Sequence, residues 1–178
     1  MTKRLAMLVA LVGLTSTAVL AGVTPPAAAE SGSKRYERGN APAAIDITRL
    51  TVRNGEKRFT MRVAVRDLAQ RGKFSFHYWR GRHQAPPARS LIIEVRRVDG
   101  DTRARFLDCG REDCVLDTCG GMRAEWRPVA DVVEVSAPQR CYPRRKGTDP
   151  PHQGRFFAWS RTPAHEDPGS APFLLARG

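Results

Sequence analysis

The sequence predicts an all-β fold, an antiparallel β-sandwich of about eight strands, with a small β-barrel as the second choice. Three observations carry this. Residues 59–66 alternate strictly, Phe59, Met61, Val63 and Val65 against Thr60, Arg62, Ala64 and Arg66, the period of a strand with one buried and one wet face. Short alternating runs recur along the chain with turn residues between them, Asn54-Gly55 and Asp99-Gly100 among them. Beyond the N-terminal apolar stretch no window of a dozen residues has helical periodicity.

The first 29 residues read as a secretory signal rather than as part of the fold. Lys3 and Arg4 precede an apolar run over residues 5–21, and Ala27-Ala28-Ala29 supplies a small-residue cleavage site before Glu30. Cleavage after Ala21 is the second choice, and a retained membrane anchor is the rival, since the run is nearly long enough to span a bilayer. Gly13, the Thr15-Ser16-Thr17 run and the cleavage site favour removal, so no retained transmembrane segment is expected. The mature chain would then hold 149 residues with a net charge of +10, enough for one core. Residues 30–44 are polar and aperiodic and predict a flexible tether, which leaves residues 45–178 as a single domain.

The central hairpin follows. Leu50 and Val52 alternate with Thr51 and Arg53. Asn54-Gly55 turns the chain so that Leu50 meets Phe59 or Met61, apolar opposite apolar in either register. Phe74, Phe76 and Tyr78 make a third strand, and residues 80–90 a loop broken by Gly81 and Pro86-Pro87. Leu91, Ile93 and Val95 start a fourth strand that Asp99-Gly100 turns into a fifth, residues 102–108. Met122, Ala124 and Trp126, then Val133 and Val135, make two more. The last candidates are residues 155–160 and 172–176. Asp99 and Asp101 read as a turn rather than a calcium site, since no further carboxylates cluster beside them.

Four cysteines, Cys109, Cys114, Cys119 and Cys141, lie in a chain bound for an oxidising compartment, where an even number points to disulfides. Three connectivities exist. Cys109–Cys114 with Cys119–Cys141 is preferred, because the first closes a short loop and the second ties the start of one strand to the end of its hairpin partner. Zinc is the alternative, but the spacing lacks a C-x2-C pair. No metal or other cofactor is expected.

No nucleophile elbow, zincin helix, phosphate-binding loop or dinucleotide fingerprint occurs, so no catalytic residue is assigned. A triad could assemble from, for example, His152 with Asp149 and a distant Ser, but any secreted domain of this size offers such combinations, and solvent-exposed histidines are the favoured reading. Trp79 shares a strand face with Ser75 and His77. Burial at the end of the core or beneath the 80–90 loop is the favoured reading of this Trp, and stacking on a sugar ring the alternative. Twenty-five of the thirty basic residues are Arg, whose planar fork suits phosphate, sulfate and carboxylate. Arg80, Arg82 and Arg89 punctuate one Pro-Pro loop, and Arg144, Arg145, Lys146 and Arg155 the other. Together they form the candidate anion-binding set if the two loops share one end of the sandwich.

Residues 46–68, followed by a Gly and an aromatic strand, together with residues 122–142, resemble secreted proteins of unknown function common in actinobacteria. The resemblance spans residues 44–142. It implies a secreted β-sandwich with a disulfide near Cys141 and brings no catalytic residues. The expected function is a secreted, non-catalytic binding or structural module of the cell envelope or extracellular space, with partner unknown. The alternatives are a binder of an anionic envelope polymer through basic loops and a small secreted hydrolase. No feature points to specific nucleic-acid binding.

Overall fold

The computed structural model describes residues 30–80, 90–110, 113–141, 153–167 and 173–177. Residues 1–29, expected to be a secretory signal, lie outside them. Two antiparallel sheets pack face to face, as expected of the sandwich. One sheet runs β1 (Glu30–Arg35), β2 (Ile47–Asn54), β3 (Arg58–Val65), β9 (Val132–Pro138) and β8 (Arg123–Arg127). The other runs β11 (Glu166–Asp167), β10 (Gln153–Arg161), β4 (Gly72–Arg80), β5 (Ser90–Val98), β6 (Asp101–Cys109) and β7 (Cys114–Asp117), and β12 (Phe173–Ala176) also pairs with β10.

The alternating rows meet between the sheets. Leu50, Val52, Phe59, Met61, Val63, Val133 and Val135 from one face Phe74, Phe76, Tyr78, Ile93, Phe106 and Phe156 from the other in a single core. Tyr78 stacks on Phe156 at 4.9 Å between ring centroids and tilts against Phe59 at 4.7 Å, so aromatic contacts bridge the layers. Gly154 makes that stack possible, because a Cβ there would run into the Tyr78 ring. Trp126 packs edge-on against Phe74 and donates Nε1–H to the Ala69 carbonyl at 3.0 Å, which satisfies its polar end.

The two turns drawn from dipeptides come out differently. Asp99 and Gly100 both take positive φ, as a two-residue turn between Val98 and its partner Asp101 requires. Asn54-Gly55 does not make the other turn. Leu50 pairs with Val63 and Asn54 with Phe59, and neither Asn54 nor Gly55 has positive φ. Apolar still faces apolar, but the loop lies one step further on. The reason is tertiary: Asn54 is fully buried, donates Nδ2–H to the Ala176 carbonyl at 3.0 Å and accepts Gln139 Nε2–H at 2.8 Å. Gln139 in turn accepts the Tyr78 hydroxyl proton at 3.3 Å, so one buried polar chain links both sheets.

Residues 30–35, expected within a flexible tether, instead form strand β1 on the edge of β2, Lys34 opposite Leu50. A strand added at an edge gains backbone hydrogen bonds whatever its side chains, so apolar periodicity is a poor guide to it. Behind β1, Tyr36, Ala41 and Ile45 are buried. Asp46, also buried, accepts Gly39 N–H at 2.9 Å and pairs with Arg66 Nε at 3.1 Å, fastening the rest of the segment to β3. Three strands were not anticipated, β1, β7 and β11; the last two are only four and two residues long.

Both disulfides form as expected. Cys109–Cys114 closes the β6–β7 hairpin, and Cys119–Cys141 ties the approach to β8 to the end of β9.

Candidate functional site

The outward face of the seven-stranded sheet departs from the usual polar exterior. On β10 the outward residues are Arg155, Phe157, Trp159 and Arg161, opposite Trp79, His77, Ser75 and Lys73 on β4. On β5, Ile92 lies opposite His77 and Glu94 opposite Ser75. The sequence folds this way because both phases of residues 155–160 are rich in large side chains: Phe156 and Ala158 enter the core, which leaves Phe157 and Trp159 outside and only partly covered.

Within this face His77 is the organising polar group. It accepts Trp159 Nε1–H on Nε2 at 2.6 Å and meets Phe157 edge-on at 5.4 Å. Burial pushes its pKa down to about 4, with Glu94 opposing and Lys73 adding to the fall. His77 is therefore neutral at physiological pH, the form that leaves a ring nitrogen free to accept. Burial alone would raise the Glu94 carboxyl, but the hydrogen bond and charge of Lys73, then Arg96, hold it below the usual carboxylate range.

At one end of the face lies a pocket of about 750 Å³ lined by Arg71, Lys73, Arg96, Arg161, His165 and Glu166, among others. Its cations are only partly neutralised. Lys73 and Arg96 share Glu94, and Arg161 reaches Glu166 at 3.9 Å. Four cations thus face two carboxylates. Arg96 also keeps a buried Nε–H with no acceptor, a donor in need of an oxygen. Arg161 joins pocket to face, its guanidinium 5.6 Å from the Trp159 ring centre.

The strand ends that border the two basic stretches lie at the opposite end of the sheet. Arg80 pairs with Gly154, and Tyr78 pairs with Leu91. The strand ends from which both loops leave are therefore side by side. Of the residues assigned to them, Arg82, Arg89, Arg144, Arg145 and Lys146 lie outside the described residues, as do His152 and Asp149. Arg80 closes β4, and Arg155 sits on the outward face, paired with Trp79. Trp79 itself is only 2% exposed, so its ring is not offered for stacking; burial wins, as favoured.

Sequence reasoning missed the basic pocket because its cations come from the ends of three strands far apart in the chain. Trp159 was legible only as one of several large side chains within the candidate strand at residues 155–160. Among the described residues no three His, Cys, Asp or Glu gather as a metal site, and no helix is long and apolar enough to cross a membrane. What fold and disulfides define is a two-sheet all-β sandwich stapled twice. No family model matches the chain, and no curated protein or solved structure shows significant similarity to it.

Proposed function

We propose that this protein is a secreted, non-catalytic binding module of the cell envelope or extracellular space, and that its ligand is an anionic polymer. The observation that carries the reading is the convergence of Arg71, Lys73, Arg96 and Arg161 on one pocket, with an excess of positive charge. Guanidinium groups suit carboxylate, sulfate and phosphate through paired parallel hydrogen bonds. The overall basic charge raises the local concentration of polyanions further. The leader-like N-terminus, the two disulfides and the resemblance to secreted actinobacterial β-sandwich proteins support export.

This moves the main binding surface from the loops to the pocket at the other end of the sheet. The test is retention on an immobilised anionic polysaccharide in a salt gradient, comparing residues 30–178 with an Arg71→Ser/Arg161→Ser variant. The variant should elute at clearly lower salt, because each lost phosphate-like contact flattens the salt dependence. Equal elution would refute the pocket as the binding site. Export is checked by the intact mass of the protein recovered from culture medium, expected to begin at Glu30.

A further inference from the structure

The outward row of β10 places two aromatic side chains between two arginines, Arg155, Phe157, Trp159 and Arg161 in succession. Alternate residues of a strand lie on one face, so the row spans roughly 20 Å. From this juxtaposition we infer that the anionic polymer is an acidic polysaccharide, its acid groups seated in the Arg71–Lys73–Arg96–Arg161 pocket and its sugar rings laid along Phe157 and Trp159. The inference rests on the anion-binding reading of the preceding subsection and names the ligand class for that site.

Three features point to a saccharide. An aromatic face is electron-rich, and the polarised C–H bonds of a pyranose face pack against it at little entropic cost to a rigid ring. The Trp159 indole N–H is already engaged by His77, so the ring is held in one orientation and meets a ligand through its π surface. Arg161 belongs to both parts, beside the ring and in the pocket, so one ligand can use both at once.

The charge pattern separates a saccharide from a nucleic acid or a polyphosphate, which present an anion at every unit. Cations that track such a backbone would have to line the whole row. Here the middle of the strip is apolar or neutral, with Phe157, Trp159, Ile92, Ser75 and His77. The Glu94 carboxylate lies beside them, between Lys73 and Arg96. An evenly charged chain would meet that carboxylate; a chain of neutral rings with an acid group at the pocket would not.

The experiment titrates residues 30–178 with four probes: a short oligogalacturonate methyl-esterified on all but one unit, its fully methyl-esterified form, a polyphosphate of equal length and a single-stranded oligothymidylate. Trp159→Ala serves as the variant. The oligogalacturonate should bind tightest and shift the Trp159 indole N–H resonance, while polyphosphate leaves that resonance in place. Trp159→Ala should weaken the oligogalacturonate about tenfold and leave polyphosphate unchanged. Should Trp159→Ala fail to fold, Trp159→Phe, which keeps a ring, together with the wild-type resonance, reads the same contact. Equal binding of oligogalacturonate and polyphosphate, with no indole shift, would overturn the saccharide inference and leave the anion reading standing. Tightest binding of oligothymidylate would assign the face to nucleic acid instead. Tightest binding of the full methyl ester would show that the pocket cations are unused and overturn both readings. No binding by any probe would overturn both as well.

Discussion

The two sheets present opposite exteriors. The five-stranded sheet turns Thr51, Arg53, Thr60, Arg62, Glu134 and Ser136 outward, and Arg127 on its edge pairs with both Glu125 and Glu134. Its outward rows carry no aromatic ring, although Arg49, Arg53, Arg58, Arg62 and Arg123 outnumber its carboxylates. The seven-stranded sheet turns out Phe157, Trp159 and His77 and collects four cations against two carboxylates. The first arrangement is what an antiparallel sheet needs against water. The second buries polar groups at a cost in solvation and leaves apolar rings half covered. A fold gains nothing from that by itself, and so the contrast supports the binding surface proposed above.

The sheets also differ in how they are stapled, and this is where the largest effect is expected. Cys119–Cys141 closes a loop of 22 residues across the five-stranded sheet, and Cys109–Cys114 one of 5 in the other. Loop-closure entropy makes the longer one worth ~3 kcal/mol and the shorter ~2 kcal/mol. Denaturant midpoints of Cys119→Ala/Cys141→Ala and Cys109→Ala/Cys114→Ala should fall in that order. A reversed order would show that the β6–β7 hairpin, not the β8–β9 connection, is the weaker joint.

Acid should distinguish the exteriors next. The His77 pKa is depressed from 6.5 to about 4, so the unfolded chain binds the extra proton first as pH falls. The stabilisation is present above pH 6.5 and is lost between about pH 6.5 and 4, at most ~3 kcal/mol and less once local opening relieves the burial. Glu94, also depressed, adds a loss in the same direction at lower pH. In His77→Phe the slope of stability against pH between 6.5 and 4 should flatten. An unchanged slope would mean that the Trp159–His77 hydrogen bond is not what resists acid.

Side-chain truncation gives a smaller contrast. Trp159→Ala on the seven-stranded exterior removes a half-buried ring and leaves His77 without its donor, a loss of ~2 kcal/mol. Thr60→Ala on the other exterior gives up one hydroxyl contact to Ser136, 3.2 Å away, and should cost ~0.5 kcal/mol. Similar losses in thermal unfolding would erase the distinction between the faces.

The smallest expected effect is Arg62→Ala, an exposed position on β3 with a loss within ~0.5 kcal/mol. Val63→Ala, its inward neighbour, should cost ~1–2 kcal/mol. Equal shifts from this pair would mean that β3 is covered on both sides.

Local patterning was enough to locate nine of the strands, the buried rows of β2, β3, β4 and β9, the Asp99-Gly100 turn and the pairing of the cysteines. Each depends on residues close in the chain or on parity along one strand, and both can be read from residue order. Contacts between distant segments decided the rest. Buried Asn54 drew the central hairpin into another register by bonding to β12 and Gln139. Edge pairing turned the polar residues 30–35 into a strand. The return of β10 beside β4 brought Arg161 to Lys73, and Trp159 to a neighbouring His77. Residues 73 and 161 are 88 positions apart, and no periodicity in either segment reports the other. Only the packing of the sheet brings their charges together, and with them the pocket.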